Sequence, residues 1–355
     1  MNTIRKYQQG SPWPEGNHPH VLFILDTCNS FEQSLLKGWI EHHSQPEGAA
    51  VQTVCIDLSD DHRSIDSVLL VNALTLPIDT VVAPLRIAWL PSQESIHSGP
   101  RLRDLIFGDP RHPNPRRGRK ILKTAPQRMH LLSGKPDSVA NLYARFELHH
   151  KMDNGDTQRD FADFVARQAS VVLDLAERRL QGGRYKVPRY VAANLLASTS
   201  YNEALNKLSV DSGIAKAQLV KEAKGYLDEM VSRPSMFWLD VYAKFNNFCL
   251  GLGYEADIVC NQDAVEKLRQ IVREYPSILL WTHKTYLDGM VLPKLLYDND
   301  FPMPHMFGGA NLNFPGLGFL LHRSGAIFIR RSFRDNELYK MTLRHYVGYL
   351  MGKRF

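Results

Sequence analysis

The sequence predicts an α/β protein in three parts: an N-terminal α/β region carrying a basic loop over residues 1–155, a helical region over 156–255, and a second α/β segment over 256–355. Apolar runs of strand length alternate with helical periodicity in the first part. The middle part keeps only the helical period, and the last returns to apolar runs broken by glycine-rich turns. With 355 residues, 44% of them apolar, the chain also exceeds the roughly 250 residues at which a single core stops growing.

In chain order, His20–Leu25 is a short apolar run, Phe31–His42 has helical spacing, and Val51–Ile56 and Thr80–Leu90 are strand candidates. From Gly99 to Arg128 the chain is rich in proline, glycine and arginine. Its centre, Asp109-Pro-Arg-His-Pro-Asn-Pro-Arg-Arg-Gly-Arg-Lys120, is predicted to be an irregular loop or domain connection. A helix is predicted next, with Asp156 or Thr157 as N-cap, running through Phe161, Phe164, Val165, Val171, Val172 and Leu175 to a Gly182-Gly183 stop. Further helices are predicted at Arg189–Ala197, Ile214–Val231 and Met236–Leu250. In the last of these Trp238, Tyr242, Phe245 and Cys249 share a stripe that suits core packing or a membrane interface. Beyond Cys260 the pattern predicts a helix (Ala264–Glu274), a buried strand (Ser277–Trp281), a turn holding His283, a helix (Asp288–Tyr297) and a strand over Ala326–Ile329.

Charge and cysteine content bound the function. The net charge of +6 favours an acidic partner without naming one. Cys28, Cys55, Cys249 and Cys260 stand far apart with no Cys-x-x-Cys pair, which argues against a disulfide framework or a cysteine-rich zinc site. Met1 to Gly10 lacks the apolar core of a signal peptide, so a cytoplasmic start is expected. No apolar stretch reaches the roughly 18 residues of a spanning helix, so any membrane contact is expected to be peripheral. There is no Gly-x-Ser-x-Gly elbow, Walker A loop or His-Glu-x-x-His helix. His42-His43 and His149-His150 are adjacent pairs that make poor chelators. The basic run Arg111–Lys123 lacks the interleaved aromatics of a nucleic-acid platform and reads as a solvated loop or a contact for anionic lipid or an acidic carrier protein.

The chemistry gathers at two blocks. Ser277–Trp281 delivers His283 to a strand's carboxyl edge, where open α/β sheets present ligand groups. Asp288, in the first turn of the next helix, can orient the His283 ring so that its other nitrogen takes a proton from a hydroxyl. The competing reading is structural, with Thr285 and Asp288 simply capping that helix. The second block is Gly308-Gly-Ala-Asn-Leu-Asn-Phe-Pro-Gly-Leu-Gly318 followed by Gly325-Ala-Ile-Phe-Ile-Arg-Arg331, which ends in paired arginines suited to a phosphate monoester.

Together, His283-x4-Asp288 and Gly325–Arg331 resemble the first two motifs of the glycerolipid acyltransferases. Ala310-Asn-Leu-Asn-Phe314 resembles the bacterial membrane-bound glycerol-3-phosphate acyltransferases in particular. The likeness is best from Tyr254 to Phe333, and Phe107-Gly-Asp-Pro110 with the helices from Arg189 to Phe248 extends it more diffusely. The resemblance implies an acyltransferase domain from 256 onward. It would move an acyl group from acyl carrier protein or coenzyme A to the sn-1 hydroxyl of glycerol 3-phosphate, on the cytoplasmic side of an anionic membrane and without nucleic acid, metal or redox cofactor.

Residue by residue, the resemblance makes His283 the base and Asp288 its partner. It assigns Arg331, with Gly325, Phe328, Ile329 and, more weakly, Arg330, to binding the acceptor; alternate strand residues face opposite ways, so one arginine of the pair should enter the site. The family's third and fourth motifs do not follow Arg331, so these 355 residues are expected to be part of a longer chain and nearly inactive alone. The alternatives are an acyltransferase for lysophosphatidate or dihydroxyacetone phosphate, or a non-catalytic membrane- or partner-binding module.

Overall fold

Valine, isoleucine and leucine fill the runs that become β1 (His20–Asp26), β2 (Ala50–Ile56) and β3 (Val81–Trp89), and such side chains suit a pleat covered on both faces. In the computed structural model these strands form a parallel sheet in the order β2-β1-β3, with His20 opposite Ala50 and Val21 opposite Val81. β4 (Met129–Ser133) and β5 (Asp137–Ser138) then pair antiparallel with β3. The structure describes residues 10–43, 48–58, 67–75, 77–92, 100–149, 157–182, 185–255, 258–282, 284–285 and 287–355.

All nine residues of β3 are buried. One face of the sheet is covered by α1 (Ser30–His42) and α4 (Pro115–Thr124), where Leu36, Trp39 and Ile121 pack on Phe23, Leu85 and Ile87. The other face carries α2 (Val68–Ala73), α5 (Val139–His149) and α6 (Thr157–Gln181), with Leu70, Phe146 and Val165 on Leu22, Ile24 and Val82. Pro84 is tolerated in this central strand because it falls between residues 85–89, paired with β4, and residues 81–82, paired with β5. Arg86, buried on β3, is bonded to Asp26 and reaches Asp174 at 2.6 Å and Glu177 at 2.9 Å, which fastens α6 to the sheet. Burial alone lowers the pKa of this guanidinium, but the three carboxylates more than reverse that and hold it charged.

The expected irregular loop over Gly99–Arg128 is corrected. It contains α3 (Leu102–Phe107) and α4, and Gly99 lies outside the described residues. Pro115 begins α4 instead of breaking structure, because the first helical position needs no N–H, while Asn114 caps the helix by accepting from Arg117 N at 2.9 Å. Gly118 is required there, since a Cβ would stand 2.8 Å from the Phe31 ring. In the long helix α6, Thr157 is the first residue; Asp156 and Gly183 lie outside the described residues.

The chain divides into two compact units, residues 1–96 with 101–181 and residues 97–100 with 182–355. The second unit is mostly helical: α7 (Val191–Ala197), α8 (Thr199–Ser212), α9 (Lys216–Met230), α10 (Met236–Gly251), α11 (Gln262–Glu274), α12 (Asp288–Asp298), α13 (Leu317–Arg323) and α14 (Glu337–Gly352). Its sheet has two parallel strands, β6 (Met306–Gly309) and β7 (Ala326–Ile329), with α13 in the crossover. Tyr339, Tyr346 and Leu350 of α14 pack on Leu227, Met230 and Ile327, and Tyr201 meets Thr342 at 2.8 Å, so α14 is central to this core.

Two expectations change in this unit. The stripe on α10 is split: Tyr242 is buried and donates to the Gly289 carbonyl, while Phe245 and Phe248 are exposed. The predicted buried strand Ser277–Trp281 is neither buried nor a strand. Ile278 is 65% and Leu280 91% exposed, and no ladder joins these residues to β6 or β7. The preceding helix α11 likewise buries none of its residues. An apolar run makes a strand only when a neighbouring backbone supplies hydrogen bonds, and that partner is not written in the run itself.

Candidate functional site

The first block centres on the start of α12. The Asp288 carboxylate accepts from Lys284 N at 2.6 Å and Thr285 N at 2.9 Å, and the Thr285 hydroxyl donates to it at 3.2 Å. This ties the turn back on itself and places a negative charge where a helix's first turn favours one. Thr285 does not bond a first-turn amide; Asp288 supplies the closing bonds, as the acidic member of a capping box does. His283 lies outside the described residues.

Beside Asp288 lies a cavity of about 560 Å³ between the end of α10 and a half-buried face of α12. Leu250, Tyr254, Ile258, Leu287 and Val291 form its apolar part, while Asn247, Glu255, Thr285, Asp288 and Lys294 contribute polar groups. Tyr254, Ile258 and Lys294 were not expected as site residues. Nothing in their local pattern marks them: Lys294 stands two turns along α12 from Asp288, and Tyr254 and Ile258, which follow α10, share the cavity with Asp288 through tertiary packing.

The second block is anchored more firmly. Gly325 turns the chain at φ 106°, a left-handed value that favours glycine, and Ala326, Ile327 and Phe328 of β7 are buried. The Gly325 carbonyl lies 3.2 Å from His305 Nδ1, and the same nitrogen lies 2.9 Å from Ser232 Oγ. Burial pushes the His305 imidazole down to about 4, so it is neutral near pH 7. Phe328 points into the core beside the His322 ring, with centroids 6.0 Å apart, and Ile329 is half-buried.

The paired arginines part company. Arg330 makes a bidentate ion pair with Glu229, through Nε at 2.9 Å and Nη2 at 2.6 Å, and its guanidinium lies 5.0 Å from the Tyr226 ring and 5.3 Å from the Tyr339 ring. Its own amide donates to Tyr339 Oη at 3.2 Å. The Glu229 contact holds the Arg330 pKa above its ordinary value. Arg331 is exposed and has no ion pair among the described residues. Glu229, Tyr226 and Tyr339 were missed by sequence reasoning because each is unremarkable where it stands, and Glu229 precedes Arg330 by 101 residues.

Among the described residues, no group of three or more histidine, cysteine and acidic side chains is placed to hold a metal ion. His42 and His43 each bond a carbonyl of their own helix, at 2.5 and 3.0 Å. His150 and the His149 side chain lie outside what is described.

Residues 263–354 match the family model described as Acyltransferase. The chain is 33% identical over 157 residues to a Mycobacterium tuberculosis protein provisionally named acyltransferase plsB1, covering 44% of this chain and 25% of the relative. The Mycobacterium bovis protein of that name gives the same figures. It is 26% identical over 226 residues to a protein named glycerol-3-phosphate acyltransferase from Aeromonas hydrophila, covering 63% of this chain and 28% of the relative. The chain thus spans about a quarter of the length of the curated relatives it matches.

Proposed function

We propose that the chain, whose residues 263–354 match the Acyltransferase family model, takes part in acyl transfer from an acyl carrier protein or coenzyme A thioester to the sn-1 hydroxyl of glycerol 3-phosphate. One observation carries the acceptor assignment: Arg330 is occupied by Glu229 and two tyrosine faces, while its neighbour Arg331 is exposed two residues beyond β7. A guanidinium in that position suits a phosphate monoester, which it can bind by charge-assisted bonds worth about 1.5–3 kcal/mol each. Gly325, the buried Phe328 and the half-buried Ile329 support the reading by fixing the strand that ends two residues before Arg331.

In the proposed reaction His283 takes the proton of the sn-1 hydroxyl while that oxygen attacks the thioester carbonyl. The C–S bond then breaks and the proton passes to the departing thiolate. Asp288 holds the imidazole tautomer and stabilises the imidazolium. A carboxylate offers about four acceptor sites, so the bonds that close the turn and a bond to an imidazole can coexist. Contact with an anionic membrane is proposed as peripheral: among the described residues no helix is long and apolar enough to cross a membrane, and Phe245 and Phe248 of α10 are exposed.

The bonds from Lys284 N and Thr285 N to Asp288 favour a second reading, in which the turn is only a helix cap in a non-catalytic module. Thioester consumption with glycerol 3-phosphate, measured on the full-length gene product, separates the two. The catalytic reading expects His283→Ala to lose about 10²–10⁴ in rate with its fold intact, and Arg331→Ala to raise the KM for glycerol 3-phosphate more than that for the thioester. A His283→Ala protein as active as wild type would sink it, leaving the cap. Competition by lysophosphatidate or dihydroxyacetone phosphate tests the acceptor.

A further inference from the structure

We infer that the cavity between α10 and α12 receives the alkyl chain of the acyl donor, with Val291 and Leu250 on opposite walls setting how long a chain it accepts. The inference rests on the acyl-transfer reading and adds to it a location and two specificity-determining residues.

The argument is one of charge, shape and continuity. The cavity, about 560 Å³, lies within the size range of small-molecule sites, and Leu250, Tyr254, Ile258, Leu287 and Val291 give it an apolar wall alongside the polar Asn247, Glu255, Thr285, Asp288 and Lys294. Two features make it a poor place for glycerol 3-phosphate. The Asp288 carboxylate at one end repels a phosphate dianion, and the Lys294 ammonium is already paired with Asp298 at 2.6 Å. An uncharged chain meets neither objection and gains from covering Leu250, Tyr254 and Val291. The acceptor phosphate then has Arg331, and the two substrates need not compete for one surface.

The lining also has a direction. Asp288, Val291 and Lys294 follow one another at single-turn spacing on one face of α12. From Asp288 to Lys294 the helix advances six residues, about 9 Å along its axis. A thioester carbonyl beside the proposed base, at the Asp288 end, would therefore lead its chain past Val291 toward Lys294. Leu250 faces this path from α10, whose packing on α12 is fixed by the hydroxyl of Tyr242 donating to the Gly289 carbonyl at 3.1 Å. A larger side chain at position 291 or 250 blocks the path midway and leaves its mouth open. Long chains lose contacts and short ones keep theirs.

The test measures binding by this 355-residue chain, with CoA, octanoyl-CoA and palmitoyl-CoA as titrants. Wild type should bind palmitoyl-CoA more tightly than octanoyl-CoA, and octanoyl-CoA more tightly than CoA. Each methylene kept out of an apolar site costs about fourfold in affinity. Val291→Trp and Leu250→Phe should therefore each weaken palmitoyl-CoA by about tenfold or more while leaving octanoyl-CoA within about threefold. Because a larger side chain can disturb a fold, wild-type protein is also photolysed with a palmitoyl-CoA analogue carrying a diazirine midway along its chain. The adduct should map to peptides containing Leu250, Tyr254 or Val291. Adducts elsewhere, or an unchanged chain-length dependence in both variants with native unfolding temperatures, would overturn the cavity assignment and leave the acyl-transfer reading standing. If wild type binds palmitoyl-CoA no better than CoA and gives no adduct, the inference is wrong; loss of activity in full-length His283→Ala then decides separately whether acyl transfer itself survives.

Discussion

Val81–Trp89 in the first unit and residues 277–281 in the second are both apolar runs ending in tryptophan, yet every residue of the first is buried and most of the second is exposed. The difference is not composition. β3 has β1 on one side, β4 and β5 on the other, and a helical layer on each face. Residues 277–281 have no ladder partner among the described residues, and the helix before them buries nothing. A strand is thus a property of its neighbours as much as of its own side chains, and in this molecule the energetic weight of the same residue types should differ accordingly.

The strongest way to break the comparison is at Arg86. Arg86→Leu would leave Asp26, Asp174 and Glu177 clustered without their cation, and removing one side of a buried ion pair costs about 3–5 kcal/mol. Denaturant unfolding followed through Trp39 and Trp89, both buried in that unit, should show the loss. Leu85→Ala, at a position 0% exposed on β3, is expected to cost about 2–5 kcal/mol.

A pH titration sharpens the contrast within the second unit by probing the half-buried His305. The His305 pKa falls from an ordinary 6.5 to about 4 on folding, so the unfolded chain binds the proton first as pH drops. The stability held in a neutral His305 is full above pH 6.5 and lost as pH falls from there toward 4. The change amounts to about 3 kcal/mol, and His305→Gln should flatten that part of the unfolding profile. The smallest effect belongs to Leu280→Ala: at 91% exposure it should shift stability by no more than about 0.5 kcal/mol. A loss of 2 kcal/mol there would show that the segment is packed after all.

Much of the secondary structure around the candidate site was legible in local pattern. His283-x4-Asp288 and the run from Gly325 to Arg331 are contiguous motifs, and the buried strand before Arg331, the glycine turn and the acidic residue opening α12 all stand where their sequence placed them. The difference between Arg330 and Arg331 was legible only in outline. Strand alternation was expected to separate the two, yet both lie past the end of β7, and which is engaged depends on Glu229, Tyr226 and Tyr339, brought there by α9 and α14. The helices α3 and α4 were hidden for a different reason: proline and glycine were read as breakers, whereas Pro115 occupies the one helical position that tolerates it and Gly118 answers a close approach by Phe31.

By itself, then, the sequence determined the α/β class, the helical character of residues 157–251, and the two blocks whose motifs carry the acyltransferase likeness, because these depend on periodicity and on residues near one another in the chain. Tertiary structure alone decided which apolar runs found partners, which arginine was engaged, and that Leu250, Tyr254 and Val291 line one cavity beside Asp288. Those outcomes depend on contacts between residues far apart in sequence, and no local pattern encodes the identity of a distant neighbour.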